Sequence, residues 1–235
     1  MEKVLLPIVS ILKCFSSQSV QMDRISTPFP AYLCALVGFL CFVMIVPAVL
    51  VAQTEVQGDV SGVWTVEGSP YIVLDSLIIL EGEQLTIEPG VEVRFEPQEE
   101  QLPTYFYNFG FLEAIGTEQD SIIFTSNADE PWPWDWGRIW VFGGGVSMSY
   151  VSLSYMGNGI EFERDCSPVE ITHCRFAEYG YRNRPGVPGG MLRPHGNGIR
   201  CEEQHQNVTI TDCIFTNGYS SRSEGIRIEY FENPE

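Results

Sequence analysis

Lysine is absent from the whole chain beyond Ala52. That region holds 29 acidic residues against 10 arginines, a formal net charge of −19 with histidine neutral. Nucleic acids and anionic lipid surfaces are themselves negatively charged, so this charge disfavours both as partners. The sequence therefore predicts no nucleic-acid-binding function, and it predicts an acidic surface that favours solubility.

Metal-binding motifs are missing as well. The sequence has no CxxC pair, and His173, His195 and His205 are scattered over a strand end and loops. A zinc site needs three or four such ligands at one place, so no metal site is predicted. Only seven aspartates follow Ala52, none of them adjacent in sequence. The prediction is a protein without a cofactor, with Ca²⁺ bound by acidic side chains as the alternative.

Helical periodicity is absent after Ala52, because Gly, Pro, Asn and β-branched residues interrupt every stretch long enough for a helix. Short segments with alternating apolar positions, which are typical of β-strands, take its place. The predicted strands are Ile72–Ile79, Leu85–Phe95, Ser121–Ser126, Arg138–Phe142, Ser147–Leu153, Gly159–Glu163, Val169–Phe176, Gly198–Glu202, Val208–Phe215 and Gly225–Tyr230. An all-β sandwich, barrel or solenoid is expected.

The one long apolar run covers residues 31–52, which carry no charge and are preceded by basic residues. This length predicts contact with a membrane, and two hypotheses are open: a signal cleaved after Ala52 and an uncleaved anchor. In both, the protein is exported and is extracellular, on the cell surface or periplasmic. A membrane is contacted only through residues 31–52 if they are not cleaved. Met22 is an alternative start that would leave residues 1–21 untranslated.

An internal repeat decides between the all-β alternatives. Gly157–Phe176 aligns without a gap on Gly196–Phe215, with 10 identities in 20 positions. Val146–Gly157 matches Val169–Gly180 more weakly and at a shorter offset. The shorter offset predicts a coil of about 23 residues, a period that fits a parallel β-helix better than a propeller blade. The longer offset is then one coil plus a loop insertion at residues 181–195.

Stacked coils place equivalent side chains over one another at about 4.8 Å. The predicted ladders are Ile160 with Ile199 and Ile226, Ile171 with Ile210, Phe176 with Phe215, and Asn158 with Asn197. The apolar ladders would bury a continuous core that no single coil could enclose. For the asparagines, a ladder of bonded amides and an ordinary turn preference of Asn-Gly are both open.

These segments resemble the right-handed parallel β-helix repeat proteins found among exported bacterial surface proteins, which share the pectate-lyase-like superfold. The segments that carry the resemblance are GSPYIVLDSLIIL (Gly68–Leu80), LTIEPGVEVRF (Leu85–Phe95), LEAIGTEQDSIIFTSN (Leu112–Asn127), WGRIWV (Trp136–Val141) and the two GNGI coils. The resemblance implies a right-handed parallel β-helix over residues 53–235, behind an export segment at residues 1–52. It implies no single activity, because the superfold includes lyases, hydrolases and esterases beside surface proteins without established activity.

Three glutamates are the best candidates for chemistry. Glu163, Glu202 and Glu229 occupy equivalent outward positions on three coils. Their expected separations of one or two strand spacings bracket those of the carboxylate pairs in glycosidases. Catalysis, binding of a hard cation and a plain solvated face are the three hypotheses for this column.

Aromatic residues are the second candidate. Trp132, Trp134 and Trp136 alternate in PWPWDWGRIW and would share one side of an extended segment, where their rings could stack on sugars. The competing hypothesis is that Trp136 and Trp140 pack in or cap the coil while the other two cover its rim. The aromatic run at residues 105–111 is predicted to be an insertion folded back over the coils.

Four cysteines follow the export segment: Cys166, Cys174, Cys201 and Cys213. The last three are predicted to point inward as small apolar groups. Free thiols and a disulfide between Cys174 and Cys213 both agree with the repeat, because stacked Cα atoms lie within the range for a disulfide.

The predicted function is a non-catalytic exported or cell-surface protein that presents its ladders to carbohydrate. The alternative is a polysaccharide lyase or glycoside hydrolase that acts on acidic polysaccharide. We also expect the β-helix domain to be incomplete at its C-terminal end, because the five residues after Tyr230 are too few for a covering coil.

Overall fold

A computed structural model describes residues 53–97, 103–163, 165–181, 195–202, 207–220 and 222–229, with only the backbone of His195, Glu202 and Glu229. The predicted export segment at residues 1–52, almost all of the insertion at 181–195 and the chain after Glu229 lie outside these ranges. Within them, no helix is long and apolar enough to span a membrane.

The described part of the chain is all-β, with one short 3₁₀ helix at Val66–Gly68. Its strands are β1 (Thr54–Asp59), β2 (Gly62–Trp64), β3 (Tyr71–Ile79), β4 (Gln84–Ile87), β5 (Glu92–Phe95), β6 (Phe106–Asn108), β7 (Phe111–Ile115), β8 (Ile122–Ser126), β9 (Ile139–Val141), β10 (Gly145–Ser149), β11 (Val151–Ser154), β12 (Ile160–Phe162), β13 (Val169–Thr172), β14 (Arg175–Tyr179), β15 (His195–Glu202), β16 (Val208–Thr211), β17 (Ile214–Gly218) and β18 (Arg222–Glu229). All pairings between these strands are parallel.

The strands form three parallel series that the chain visits in turn. Face 1 contains β2, β4, β7, β10, β13 and β16. Face 2 contains the first half of β3 with β5, β8, β11, β14 and β17, and face 3 contains the second half of β3 with β6, β9, β12, β15 and β18. From β4 onward, every third strand thus returns to the same face. The prediction of an all-β, solenoid-like fold of parallel strands is confirmed at this level.

The register of the strands follows the repeat. Val146 of β10 pairs with Val169 of β13, which is the shorter repeat offset, and Ile160 of β12 pairs with Ile199 of β15, which is the longer one. Coil length varies elsewhere, because the separation in sequence between Ile139 and its partner Ile160 is smaller than either repeat offset. The remaining pairs in the apolar ladders are Ile199 with Ile226, Ile171 with Ile210, and Phe176 with Phe215.

Corners divide four of the predicted strands into two. The predicted strands at 85–95, 147–153, 169–176 and 208–215 each run from face 1 to face 2 through a bend. One residue at each bend has a positive φ: Gly90 (80°), Tyr150 (51°), His173 (53°) and Asp212 (54°). A residue in this left-handed region ends the extended conformation and turns the chain onto the next face. The prediction of single strands there is wrong for this reason.

The paired glycine and phenylalanine of the repeat have a common structural cause. A Cβ on Gly159 would collide with the carbonyl oxygen of Gly198 and crowd the ring of Phe176. A Cβ on Gly198 would in turn collide with the ring of Phe215. The two phenylalanine rings stack at a centroid distance of 4.9 Å. Each glycine therefore leaves the space that the phenylalanine of its own copy occupies.

Buried asparagines join successive turns of the chain. The backbone N–H of Asn197 donates to Oδ1 of Asn158 at 3.1 Å, so the contact between these coils runs from side chain to backbone. Asn108, which sequence analysis did not single out, is fully buried. Its amide donates to the carbonyl oxygen of Gly145 at 3.0 Å and its oxygen accepts from the N–H of Gly110 at 3.1 Å. The side-chain oxygen of Asn158 and the amide group of Asn108 thus have hydrogen-bond partners, which a low-dielectric interior favours.

The last described coil is less enclosed than the others. Ile160 and Ile199 are completely buried, whereas Ile226 and Ile228 of β18 are 43% and 54% exposed. Within the described residues, no strand pairs with the outer edge of β18. The expected C-terminal incompleteness of the domain concerns residues beyond this part of the chain and stays a prediction.

Candidate functional site

The tryptophan platform expected from the sequence is not one surface. Trp136 is fully buried, and its ring stacks on Phe95 at a centroid distance of 4.2 Å. Trp134 has a φ of 81° and lies edge-on to Tyr181 at 6.2 Å. The segment is not an extended strand here, so alternate residues do not share a side. The prediction that Trp132, Trp134 and Trp136 form a common platform is wrong for Trp136, which packs in the core.

Five other aromatic rings lie side by side on the outer side of face 3. Tyr107 of β6 pairs with Trp140 of β9, and each is flanked along its strand by buried inward residues. Because side chains alternate along a strand, residues two positions away share the outer side with these two rings. This aromatic patch consists of Tyr105, Tyr107, Phe109, Trp140 and Phe142.

The rings of the aromatic patch form a continuous surface. The shortest centroid distances are 4.8 Å between Trp140 and Phe142 and 5.0 Å between Phe109 and Phe142. Tyr107 lies 5.7 Å from Tyr105 and 6.1 Å from Trp140. Phe109 is 40% exposed, and the other four rings are half-buried. The prediction that residues 105–111 form a folded-back insertion is wrong, because they contain β6 and the first residue of β7.

A charged cluster adjoins the aromatic patch. The side chain of Glu161 is only 2% exposed, and one guanidinium nitrogen each of Arg138 and Arg200 donates to it, the latter at 2.5 Å. The guanidinium of Arg138 also lies over the rings of Trp140, at 4.9 Å, and Tyr105, at 5.8 Å. The faces of these rings interact favourably with the guanidinium cation of Arg138. The cluster therefore fixes one side of the aromatic patch.

Comparison with protein-family models, with curated proteins and with solved structures found no match. The resemblance to β-helix repeat proteins accordingly depends on the quoted segments and on the parallel architecture. The chemistry of the aromatic patch and its neighbours is therefore what bears on the function of the protein.

The predicted glutamate column contributes one described side chain to this region. Oε1 of Glu163 accepts a hydrogen bond from the indole N–H of Trp140 at 2.9 Å, which orients the ring. Glu202 of β15 pairs through its backbone with Glu229 of β18. Glu163 directly follows Phe162, the last residue of β12 that pairs with β15. The side chains of Glu202 and Glu229 lie outside the description, so the carboxylate column stays a prediction.

Protonation keeps the ring of Tyr107 neutral. Burial raises the pKa of Tyr107 above its ordinary value, and the neighbouring Tyr105 adds to this, while Arg138 opposes it. The phenol of Tyr107 therefore remains protonated at neutral pH and can both donate and accept a hydrogen bond. The patch combines apolar ring faces with polar groups at their edges.

No three His, Cys, Asp or Glu side chains among the described residues lie close enough together to hold a metal ion. The ring of His173 stacks on Tyr150 at 4.7 Å and its Nε2 lies 3.9 Å from Asp212, both of them corner residues. His173 therefore belongs to a corner of the coil. The alternative of Ca²⁺ bound by the glutamate column stays a prediction.

The sequence contains only part of the signal for the aromatic patch. Tyr105, Tyr107 and Phe109 alternate, and so do Trp140 and Phe142. The two groups are brought together by the pairing of Tyr107 with Trp140, whose separation in sequence matches neither repeat offset. Without that pairing, the two alternating runs could not be placed on the same face.

Proposed function

We propose that this chain is a non-catalytic exported or cell-surface protein, folded as a right-handed parallel β-helix, that binds carbohydrate through the aromatic patch. The observation that carries the proposal is the continuous outward row of aromatic rings on face 3. Outward aromatic residues on a sheet are costly to leave in water, and a row of them in contact is a common mark of a binding surface.

The right-handed β-helix is supported by the order in which the chain visits the faces. Three strands per coil, all paired in parallel, repeat from β4 to β18. Connections between parallel strands of one sheet are right-handed in nearly all proteins, because of the right-handed twist of the strands. The export part of the proposal is supported by the uncharged run at residues 31–52 and by the resemblance to exported repeat proteins.

Carbohydrate suits the patch for two reasons. Sugar rings have apolar faces that stack on aromatic rings, and hydroxyl edges that need hydrogen-bond partners. Trp140 and Tyr107 supply ring faces beside the polar groups of Glu163 and Arg138. The rings continue along the strands from Tyr105 to Phe109, a length that favours an oligosaccharide over a single sugar.

Binding of the full chain to an array of bacterial and plant polysaccharides tests this proposal. Changing Trp140 to alanine is expected to weaken binding about tenfold or more, since loss of one stacked ring costs roughly 1.4 kcal/mol or more. Trp132→Ala is the matched control and is expected to bind as the unchanged protein does, because Trp132 lies outside the patch. Absence of glycan binding, or equal losses in the two variants, would contradict the proposal.

The non-catalytic part has a separate test. Acidic polysaccharides that bind are incubated with the full chain and assayed for new reducing ends and for unsaturated products. We expect neither to form. Product formation that disappears on changing Glu163 or Glu202 to glutamine would replace the binding proposal with a polysaccharide lyase or hydrolase.

A further inference from the structure

Two cysteines on neighbouring coils face each other at the corner between face 1 and face 2. Cys174 and Cys213 directly precede β14 and β17, and the N–H of Ile214 donates to the carbonyl oxygen of Cys174 at 2.9 Å. Their Cα atoms are therefore about one strand spacing, roughly 4.8 Å, apart, within the range of about 4.4–6.8 Å for disulfides. Both are free thiols in this structure.

The two thiols are chemically unequal. Cys174 is buried, and the neighbouring side chain of Cys213, together with this burial, raises the pKa of Cys174 strongly. The side chain of Cys174 in turn lowers the pKa of Cys213 to about 7, even though burial and Asp212 oppose the change. Cys213 is half-buried and so can meet a small reagent. A thiolate that is accessible at neutral pH is the reactive form of cysteine.

Neither of the other two described cysteines has a lowered pKa. Burial raises the pKa of Cys166 to about 11, and burial together with the neighbouring Cys166 raises the pKa of Cys201 to about 11. The sulfur of Cys166 also lies 3.1 Å and 3.3 Å from the carbonyl oxygens of Glu163 and Val141. Both thiols therefore stay protonated and enclosed, which makes them a control within the same molecule.

We infer that Cys174 and Cys213 are a site of thiol–disulfide exchange, at which a small-molecule disulfide such as oxidised glutathione links two successive coils covalently. The Cys213 thiolate attacks one sulfur of the reagent, breaks its S–S bond and expels one half as a thiolate. The Cys174 thiol, no longer beside a thiolate, loses its proton to water, attacks the sulfur of Cys213 and expels the second half as a thiolate. The protein loses two hydrogen atoms, and the reagent is reduced to two thiols.

The test is incubation of the full chain with oxidised glutathione at pH 7.5, followed by intact-mass measurement and peptide mapping. Near-complete linkage of the Cys174 peptide to the Cys213 peptide is expected. The map also separates this link from any that involves Cys14, Cys34 or Cys41. Linkage mainly between other cysteines, or no linkage, would overturn the inference.

Three variants identify the order of the steps. Cys174→Ser is expected to retain one glutathione on residue 213, because the resolving thiol is gone. Cys213→Ser is expected to give no cross-link and to take up no glutathione at Cys174. The double variant Cys166→Ser with Cys201→Ser should cross-link as the unchanged protein does. Glutathione retained at Cys174 in the Cys213→Ser variant would show that the assignment of the attacking thiol is wrong.

Discussion

Changing Glu161 to glutamine is expected to lower the free energy of unfolding by about 3 kcal/mol. The carboxylate is almost completely buried and takes hydrogen bonds from the guanidinium groups of Arg138 and Arg200. Glutamine keeps the shape but removes the negative charge, so two neighbouring cations lose their shared counter-ion in a low-dielectric place. Denaturant titration of the full chain, followed by tryptophan fluorescence and circular dichroism, measures the loss.

Two further variants show whether charge is the cause. Glu170→Gln changes an exposed glutamate on β13 and should alter stability by less than about 0.5 kcal/mol. Combining Glu161→Gln with Arg200→Gln should recover part of the lost stability, because only one of the two guanidinium groups then remains. The contrary result is that the losses in free energy of unfolding of Glu161→Gln and Arg200→Gln simply add in the double variant. The two residues would then be independent, and the account of the cluster would fail.

Changing Phe176 to alanine is expected to cost about 3 kcal/mol as well. The ring is fully buried, stacks on Phe215 and lies against the space left by Gly159. Its removal leaves a cavity between two coils, and each coil depends on its neighbour for a core. Because the stability of each coil depends on its neighbours, the loss of the Phe176 ring should also broaden the unfolding transition.

The matched control for Phe176 is Ile214, a neighbour of its stacking partner. Ile214 is 58% exposed on the outer side of β17, so its change to alanine should cost less than about 0.5 kcal/mol. The same denaturant titration measures both variants. Equal losses for Phe176→Ala and Ile214→Ala would mean that the inward and outward sides of face 2 have been assigned wrongly.

The repeat explains why part of the fold could be predicted from sequence. The two GNGI copies fix the pairings of Ile160 with Ile199 and of Phe176 with Phe215, since their gapless alignment leaves no other register. Gly159 adds a physical reason for that identity, because it must leave room for an aromatic ring. Identity between copies was informative here because equivalent positions in stacked coils have equivalent neighbours.

The first coils were harder to predict because they contain no recognisable copy of that repeat. β1, β2, β6 and β7 were not predicted at all. The separation of paired residues also varies there, and that of Leu85 and Leu112 falls between the two repeat offsets. Corners added a second difficulty. Alternation beyond Ile171 would place His173 inward, but the bend at His173 makes Cys174 the next inward residue. In the sequence, this shift by one position resembles ordinary alternation.

For the candidate site, the type of residue was predicted but not the residues that form it. Aromatic residues were expected to form the binding surface, but the proposed platform included Trp136, which is buried. The positive φ of Trp134 ends the extended conformation on which that prediction depended. Glu163 was identified as outward, but its bond to Trp140 depends on the register of β9 with β12, which lies outside the detectable repeat.

Stacking of successive coils is most directly tested by a pair of engineered cysteines on face 1, in a Cys213→Ser background. Glu170 and Thr209 are exposed and directly paired, so Glu170→Cys with Thr209→Cys should form a disulfide rapidly under mild oxidation. Thr211 lies two residues further along β16, about 8 Å from Glu170, which is too far. Glu170→Cys with Thr211→Cys should therefore stay reduced. Equal cross-linking of the two pairs, or preference for the second, would contradict the stacked register on which the whole account depends.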